Sequence, residues 1–309
     1  MNIVTLTLNP AFDVHCTVPH FAPYHENLAR IDANEAGGKG VNISRALTVN
    51  GVENLCFVVL GEENGDSFAK RLQTDGMRYR ALTVAGRIRE NITVHTEGAD
   101  ETRISFPGFP TDESLLSLVE QELSEEIGES TMVTFTGRVP DGISMEAVKK
   151  FLRGLQKKGA RIVIDSRSFS LDDLVEMKPW LIKPNQEEIS AYLGREIKGF
   201  SEVASAARKL HEKGIENVMI SLGAKGALLV CREGAWIATP PVVDAKSTIG
   251  AGDSSIGGFL AAAKDGTPAD ICLCRAVAYG SAACMTEGTR PPRKEDVASI
   301  LPLIELKTV

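Results

Sequence analysis

Residues 247–254 (STIGAGDS) combine small residues with a carboxylate in a pattern that suits phosphate chemistry. Gly250, Ala251 and Gly252 let the backbone turn tightly and approach a ligand closely. The Ala-rich run that follows has helical spacing, so the small residues should lie at a helix N-terminus, which favours anions. Beside such a pocket, Asp253 is predicted to be a general base that takes a proton from an attacking hydroxyl. The same residues also fit a simple glycine turn that Asp253 caps.

A second glycine-rich segment, residues 36–42 (AGGKGVN), also precedes a helical pattern and contains a lysine. Its spacing is not that of a Walker A loop, because Gly40 and Val41 follow Lys39 where that loop has a Ser or Thr magnesium ligand. It is not a dinucleotide-binding G-x-G-x-x-G either. The segment therefore indicates backbone close to a ligand without identifying that ligand.

A small β lid is predicted outside the main run of elements. It would be formed by residues 13–34, which read as strand pieces, and by residues 88–106, a hairpin with a turn at 97–100. Arg87, Arg89 and Arg103 lie on or beside this lid. They are either solvated surface charges or a clamp for a phosphate, which guanidinium groups bind bidentately.

Composition narrows the class of protein. The 309 residues carry a net charge of −7, which argues against nonspecific nucleic-acid binding. No apolar run is long enough to cross a bilayer, so we expect no membrane association. The six cysteines form no C-x-x-C pair and read as free thiols in a reducing compartment. We therefore expect a cytoplasmic protein.

Apolar strands and amphipathic helices alternate along most of the chain. Strands are expected at residues 3–8, 132–135, 161–165 and 218–221, with helical stripes between the last three. This order predicts an α/β fold, with a doubly wound, mostly parallel sheet flanked by helices, as one domain over residues 1–309. Polar residues repeatedly follow strand ends, as Asp13 follows the first, so they should meet in one crevice.

Five motifs occur together, in this order: TLNPAFD at 7–13, GGKGVN at 37–42, KPNQEE at 183–188, SLG at 221–223 and TIGAGD at 248–253. In this combination the chain resembles the phosphofructokinase B branch of the ribokinase-like carbohydrate kinases over essentially its whole length. Within that branch it looks most like 1-phosphofructokinases. Tagatose-6-phosphate kinases are next, followed by 6-phosphofructokinases.

The resemblance implies ATP-dependent phosphorylation of a hexose phosphate hydroxyl, with Mg²⁺ and often K⁺. Fructose 1-phosphate, giving fructose 1,6-bisphosphate, is the favoured acceptor, and tagatose 6-phosphate and fructose 6-phosphate are the alternatives. By the family pattern Asp253 is the general base, and the N–H groups of Gly250, Ala251 and Gly252 form an anion hole. A non-catalytic regulatory protein that binds sugar phosphate and nucleotide is the competing hypothesis from another class.

The remaining site residues follow from the same resemblance. Those expected at the nucleotide are Lys183, Asn185, Ser221, Gly223, Gly226 and Thr248, with Glu188 holding a magnesium-bound water. Those expected at a monovalent cation are Ser247, Ile249, Ala283, Thr286 and Gly288. Those expected at the sugar are Asp13, Gly38, Lys39 and Asn42, with Arg89 and Arg103 on its phosphate.

One position departs from the family pattern. Arg138 stands where the family usually has the Ser of Gly-Ser-Leu-Pro, which contacts the substrate phosphate. Arg138 either strengthens that contact or reshapes the pocket for another acceptor.

We also expect a homodimer joined through the lids, because lid positions such as Val14 and Ile92 are apolar and are predicted to be exposed.

Overall fold

Two β-sheets and ten α-helices make up the part of the chain that the computed structural model describes, residues 1–98 and 101–309. The strands are β1 Ile3–Thr7, β2 Ala11–Thr17, β3 Arg30–Gly37, β4 Leu55–Gly61, β5 Tyr79–Val84, β6 Arg89–His95, β7 Thr102–Ser105, β8 Met132–Thr136, β9 Arg161–Asp165, β10 Leu181–Ile182, β11 Asn217–Ser221, β12 Ala227–Cys231, β13 Gly234–Thr239 and β14 Glu305–Thr308. The helices are α1 Lys39–Val49, α2 Gly65–Thr74, α3 Ser114–Glu122, α4 Met145–Lys157, α5 Leu171–Met177, α6 Gln186–Leu193, α7 Gly199–Glu212, α8 Ala251–Lys264, α9 Ala269–Cys284 and α10 Lys294–Ile300.

The large sheet has the strand order β14-β13-β12-β11-β10-β9-β8-β1-β4-β5. Its strands are parallel from β11 to β5, whereas β12, β13 and β14 form an antiparallel end. One apolar core joins the sheet to α2–α7, and a second joins its other face to α1 and α8–α10. The predicted doubly wound α/β fold is therefore confirmed.

Two edge strands were not expected from the sequence. β5 is mostly half-exposed and β14 is exposed along its whole length. Neither carries the continuous apolar run of a buried strand nor the clean alternation of a half-buried one. Their pairing with β4 and β13 comes from the sheet that the rest of the chain builds.

The second sheet is small, with the order β3-β2-β6-β7. β2 pairs antiparallel with β3 and parallel with β6, so Asp13 lies between Glu35 and Asn91. Because residues in direct register point to the same face of a sheet, these three side chains share one face. The sheet begins at Ala11, slightly before the expected lid, and part of the expected turn at 97–100 lies outside the described residues.

Helices α1 and α8 pack on the same face of the large sheet. They pack closely, since a Cβ added at Gly257 would lie 3.5 Å from the Ile43 carbonyl and 3.6 Å from the Ala46 side chain. Both helices begin at the carboxyl edge of the parallel strands, where α/β proteins bind ligands. Within the described residues, no helix is both long and apolar enough to cross a membrane.

Candidate active site

The N-terminus of α8 has the geometry of an anion site. Gly250 caps this helix with φ of 78°, in the left-handed region that favours glycine. The Ala251 N–H makes only a long contact of 3.4 Å with the Thr248 carbonyl. The first N–H groups of a helix have no partner within it, so this turn can donate to a phosphoryl oxygen. The predicted helix start at this position is confirmed.

Asp253 lies buried in the first turn of α8. Its Oδ2 accepts a hydrogen bond from Asn42 Nδ2 at 3.0 Å, and Arg45 reaches Asn42 Oδ1 over 3.4 Å. Burial raises the pKa of Asp253 to about 6; Lys39 opposes this rise and the Asp165 charge adds to it. A carboxylate with this pKa is ionised at neutral pH and is a better proton acceptor than a solvated aspartate.

Asp165 joins the two lysines of the site, and the sequence did not assign it a role. Its carboxylate lies 2.7 Å from Lys39 Nζ and 3.7 Å from Lys183 Nζ. Burial alone would raise the pKa of Asp165, but Lys183 and Lys39 hold it below its ordinary value. The available signal was its position at the carboxyl end of β9, in register with Thr136 of β8.

Lys39 and Lys183 bring positive charge to the base of this site. Burial alone would lower the pKa of Lys39, but the charges of Asp165 and Asp253 raise this pKa above its ordinary value. Lys39 therefore stays protonated. Lys183 is buried, and its Nζ lies 3.1 Å from where a Cβ on Gly252 would stand. The Lys183 ammonium therefore adjoins the backbone that is expected to form the anion hole.

A cavity of about 1200 Å³ opens beside this helix N-terminus. Among the residues that line it are the predicted Lys183, Asn185, Ser221, Gly223 and Gly226, together with Ala251 and Gly252. Thr248, also predicted to contact the nucleotide, is not among them. The sequence did not predict the apolar wall, which includes Ile197, Met219, Pro240, Pro241 and Val243. A large cavity with an apolar wall and a cationic end suits a nucleotide base and its phosphates.

Asn185 and Glu188 form a capping box at the start of α6. The Glu188 N–H donates to Asn185 Oδ1 at 2.8 Å, and the Asn185 N–H donates to Glu188 Oε2 at 3.0 Å. Arg167 Nε donates to Glu188 Oε1 at 2.8 Å, a contact that the sequence did not predict. In the part of the chain that the structure describes, the Asn185 amide nitrogen makes no hydrogen bond and can donate to a ligand, whereas each Glu188 oxygen already accepts one.

The acidic residues at the cavity fit Mg²⁺ of the kind that arrives with a nucleotide. Glu187 lines the cavity, Glu188 follows Glu187 in α6, and Asp165 lies 3.7 Å from Lys183, which also lines the cavity. Across the described parts of the chain, no group of three or more His, Cys, Asp or Glu residues could hold a metal ion by itself. Mg²⁺ in kinase sites keeps several waters and takes one or two carboxylates besides phosphate oxygens, which this donor set can provide.

Asp13 is held at the base of the small sheet, facing the same crevice. Its Oδ1 accepts from Asn91 Nδ2 at 2.8 Å, and burial raises its pKa although Asn91 and Arg103 oppose that rise. Gly37 packs directly on this carboxylate, because a Cβ there would lie 2.0 Å from Asp13 Oδ2. The sequence placed Asp13 at the sugar; the structure puts it against Gly37 of the segment 36–42, where the charges of Arg103 and Arg89 act on it.

Arg89 is a guanidinium without a matching carboxylate contact. It donates to Asn91 Oδ1 at 3.0 Å and to the Phe106 carbonyl at 3.3 Å, while among the described residues no acceptor reaches its buried Nε. Burial lowers the pKa of Arg89; Asp13 opposes this shift and Arg138 adds to it. A buried polar group without a partner calls for a ligand, and for a guanidinium that ligand is an anion.

The other arginines differ in their surroundings. Arg103 is exposed on β7, and its charge acts on Asp13. Arg138 pairs with Asp141 at 3.0 Å with both side chains 74% exposed, and its charge acts on Arg89. Arg87 pairs with the exposed Glu90. Arg89 and Arg103 thus lie on the face of the small sheet that carries Asp13, the charge of Arg138 acts on Arg89, and Arg87 stays at the surface.

The segments predicted to hold a monovalent cation lie together at the C-terminal end of α9. The N–H groups of Lys246 and Ser247 both donate to the Cys284 carbonyl, which links residues 246–249 to residues 283–288. Thr286 Oγ1 lies 2.8 Å from the Ala283 carbonyl and 2.7 Å from the Arg290 carbonyl, and its single proton can be donated to either of them. The Ala283 carbonyl also accepts from the Thr286 N–H, so it already has two donors.

A helix N-terminus that can donate to an anion, a buried aspartate and a cavity with a lysine at one end are features that suit phosphoryl transfer. The family model described as pfkB family carbohydrate kinase matches residues 12–296. The 1-phosphofructokinase of Escherichia coli K12 is 35% identical, with 84% of this chain and 83% of that protein covered. The 1-phosphofructokinase of Bacillus subtilis is 31% identical, with 98% and 99% covered.

A solved structure of Escherichia coli phosphofructokinase-2, in complex with substrates and products, has a TM-score of 0.92 and 29% identity, with 98% of this chain and 99% of that chain covered. The chain belongs to the pfkB family of carbohydrate kinases. It is a phosphotransferase that acts on a sugar hydroxyl. Kinases of this family use ATP and a divalent metal ion.

Proposed function

We propose that this protein transfers a phosphoryl group from ATP to fructose 1-phosphate and releases fructose 1,6-bisphosphate and ADP. Two sets of facts support a sugar phosphate as the acceptor: relatives named 1-phosphofructokinase align over most of the chain, and no acceptor in the described residues reaches the buried Nε of Arg89. The second is the observation that carries the proposal, because a sugar phosphate supplies the missing anion and a free sugar does not.

In the proposed reaction Asp253 accepts the proton of the acceptor hydroxyl. The hydroxyl oxygen forms its bond to the γ-phosphorus as the bond from that phosphorus to the ADP oxygen breaks. The N–H groups of Gly250, Ala251 and Gly252, with Lys183 beside them, stabilise the charge on the transferring phosphoryl oxygens. Glu188 would hold the divalent metal ion through water, and this ion would supply neutralising charge at the phosphates.

The sugar phosphate would lie between the small sheet and the N-terminus of α1. Asp13 is placed to accept from a sugar hydroxyl, and Gly38, Lys39 and Asn42 approach from the first turn of α1. Arg89, Arg103 and Arg138 would bind the phosphate, with Arg138 turning from Asp141 to do so. Arg138 in place of a serine gives this pocket one more positive charge than the usual family pattern.

The acceptor is tested by coupled ADP release with Mg-ATP and a panel of fructose 1-phosphate, tagatose 6-phosphate, fructose 6-phosphate and free fructose. We expect the highest kcat/KM with fructose 1-phosphate. A preference for another phosphosugar would leave the proposed mechanism unchanged, and the pocket around Arg138 would then account for the different acceptor. ATP binding with no turnover of any acceptor would favour the non-catalytic regulatory alternative.

We further propose that K⁺ binds beside the anion hole, between Ser247 and Ile249 on one side and Ala283, Thr286 and Gly288 on the other. Escherichia coli phosphofructokinase-2 has been solved in complex with potassium. The carbonyl of Ala283 would have to exchange one of its two Thr286 donors for the cation. The Thr286 hydroxyl is the group best placed to turn away, because it already has a second acceptor in Arg290.

We also propose that residues 1–309 act as one kinase domain, with the small sheet as its lid, and that two lids join in a homodimer. Val14 and Ile92 do not carry this proposal, since Val14 is buried and Ile92 packs against buried Cys16, Val18 and Val94. Instead, the lid exposes Ile31 and Ile104, at 65% and 44%. Exposed apolar side chains on a sheet are typical of a self-association surface.

The dimer is tested by the substitution Ile31→Asp. We expect a fall from the dimer mass to the monomer mass in analytical ultracentrifugation, because a buried aspartate would be desolvated without a partner. Leu118→Asp is the matched control, since Leu118 is 45% exposed on α3, outside the lid. If both variants and the wild type have the dimer mass, the dimer contact lies elsewhere. If all three have the monomer mass, the dimer is excluded.

A further inference from the structure

We propose that Glu35 is a positioning residue that transmits the engagement of the small sheet to the anion hole at Gly250. This inference rests on the proposed phosphoryl transfer. Glu35 is on β3, outside the expected motifs, and the reaction as described does not use it. Three contacts carry the inference, and they connect the sugar side of the crevice to the phosphoryl side.

The first contact is with the sugar side. Glu35 pairs in register with Asp13, so both side chains lie on the face of the small sheet that carries the proposed sugar contacts. Gly37, two residues further along β3, packs on the Asp13 carboxylate. A shift of Asp13 toward a bound sugar would therefore displace β3 and the Glu35 carboxylate with it.

The second contact is with the segment after α9. Glu35 Oε2 accepts from Thr289 Oγ1 at 2.7 Å, and Glu35 Oε1 lies 3.6 Å from Arg290 Nε. Thr289 is buried and the Glu35 side chain is 24% exposed, so this hydrogen bond is partly shielded from water. The neighbouring Gly288 packs on His15 of β2, where an added Cβ would lie 3.2 Å from Nε2. Residues 288–290 therefore touch both β2 and β3.

The third contact is with the anion hole. A Cβ on Gly250 would lie 3.9 Å from the Cα of Thr289, so the backbones of these two residues are neighbours. Thr286 Oγ1 bonds the Arg290 carbonyl at 2.7 Å and closes residues 286–290 into a compact loop. Movement of Thr289 is thus passed to the turn that orients the N–H groups at the start of α8. Catalysis by such donors depends on their preorganised direction.

The test compares Glu35→Ala and Thr289→Val with wild type in the coupled assay. Each variant removes one partner of the partly shielded hydrogen bond, and we expect kcat to fall about 10- to 100-fold. KM for the sugar phosphate and Mg-ATP affinity by calorimetry should stay within about threefold, because Glu35 contacts neither ligand in the proposed complex. Thr289→Ser keeps the hydroxyl and should retain most of the wild-type kcat.

Glu287→Ala is the matched control, because Glu287 also pairs with Arg290 but is 71% exposed and makes no contact with Thr289 through that pair. Its kcat should equal the wild-type value. A normal kcat in Glu35→Ala and Thr289→Val, or an equal loss in Glu287→Ala, would overturn the inference. A loss of kcat with lost Mg-ATP affinity and lowered Tm would also overturn it, since that result means general unfolding. Absence of wild-type turnover with every acceptor would instead remove the proposed function and this inference with it.

Discussion

Asp253→Asn is expected to lower kcat by about 10²- to 10⁴-fold, the range that a positioned general base contributes. The amide preserves the size of the side chain and its hydrogen bond with Asn42, but it cannot accept the proton. Because the anion hole is made of backbone N–H groups, Mg-ATP affinity should change little. Coupled ADP release gives kcat, and calorimetry gives the affinity. Asp244→Asn, at an exposed aspartate of the preceding loop, should behave as wild type.

The pH dependence gives an independent test of the same residue. The pKa of Asp253 is raised to about 6 by burial, and its carboxylate must be ionised to act as a base. Wild-type kcat should therefore fall as the pH drops through about 6, and Asp253→Asn should lack this limb. Because Lys39 lowers the pKa of Asp253, the fall in kcat of the Lys39→Met variant should occur at a higher pH than in the wild type. A kcat of Asp253→Asn within a few-fold of wild type would exclude Asp253 as the base.

Arg89→Ala is expected to raise KM for the sugar phosphate by about 10- to 100-fold with a smaller effect on kcat. A hydrogen bond to a charged group contributes about 1.5–3 kcal/mol, and the buried Nε of Arg89 has no acceptor within residues 1–98 and 101–309. Arg89→Lys should recover part of the loss, because lysine keeps the charge and loses the planar fork. Steady-state kinetics at saturating Mg-ATP measures both constants.

Arg87→Ala is the control for Arg89, two residues away on the same segment. Its side chain is 59% exposed and pairs with Glu90, so its removal should leave KM unchanged. If Arg87→Ala raised KM as much as Arg89→Ala, the increase in KM would reflect the loss of positive charge near the site and not the loss of a specific contact of Arg89. An unchanged KM in Arg89→Ala would place Arg89 outside the substrate site.

Local patterns were enough for much of the fold. The helix at residues 251–264 follows from a glycine turn and apolar spacing, and strands such as Met132–Thr136 follow from short β-branched runs. These signals need only neighbours in the chain, because glycine conformation and side-chain periodicity are local properties. The site residues taken from the five motifs remain predictions, although the structure gathers most of them around one crevice.

Contacts between distant segments could not be predicted in this way. Asp165 meets Lys39 across 126 residues of sequence, and Thr289 meets Glu35 across 254. Val14 looked like an exposed strand residue but is buried in the main core, because the small sheet packs against the domain. β5 and β14 are strands only because a sheet edge was available to pair with them.

By itself, the sequence determined most of the elements, their order and the family, since those depend on local patterns and on motifs in series, whereas the edge strands β5 and β14 needed the rest of the sheet. Tertiary structure alone decided the electrostatics of the site. The pKa of Asp253 near 6, the protonated state of Lys39 and the unpartnered nitrogen of Arg89 all depend on burial and on charges from other strands. Desolvation and Coulomb energies follow distances in space, and these distances exist only once the chain has folded.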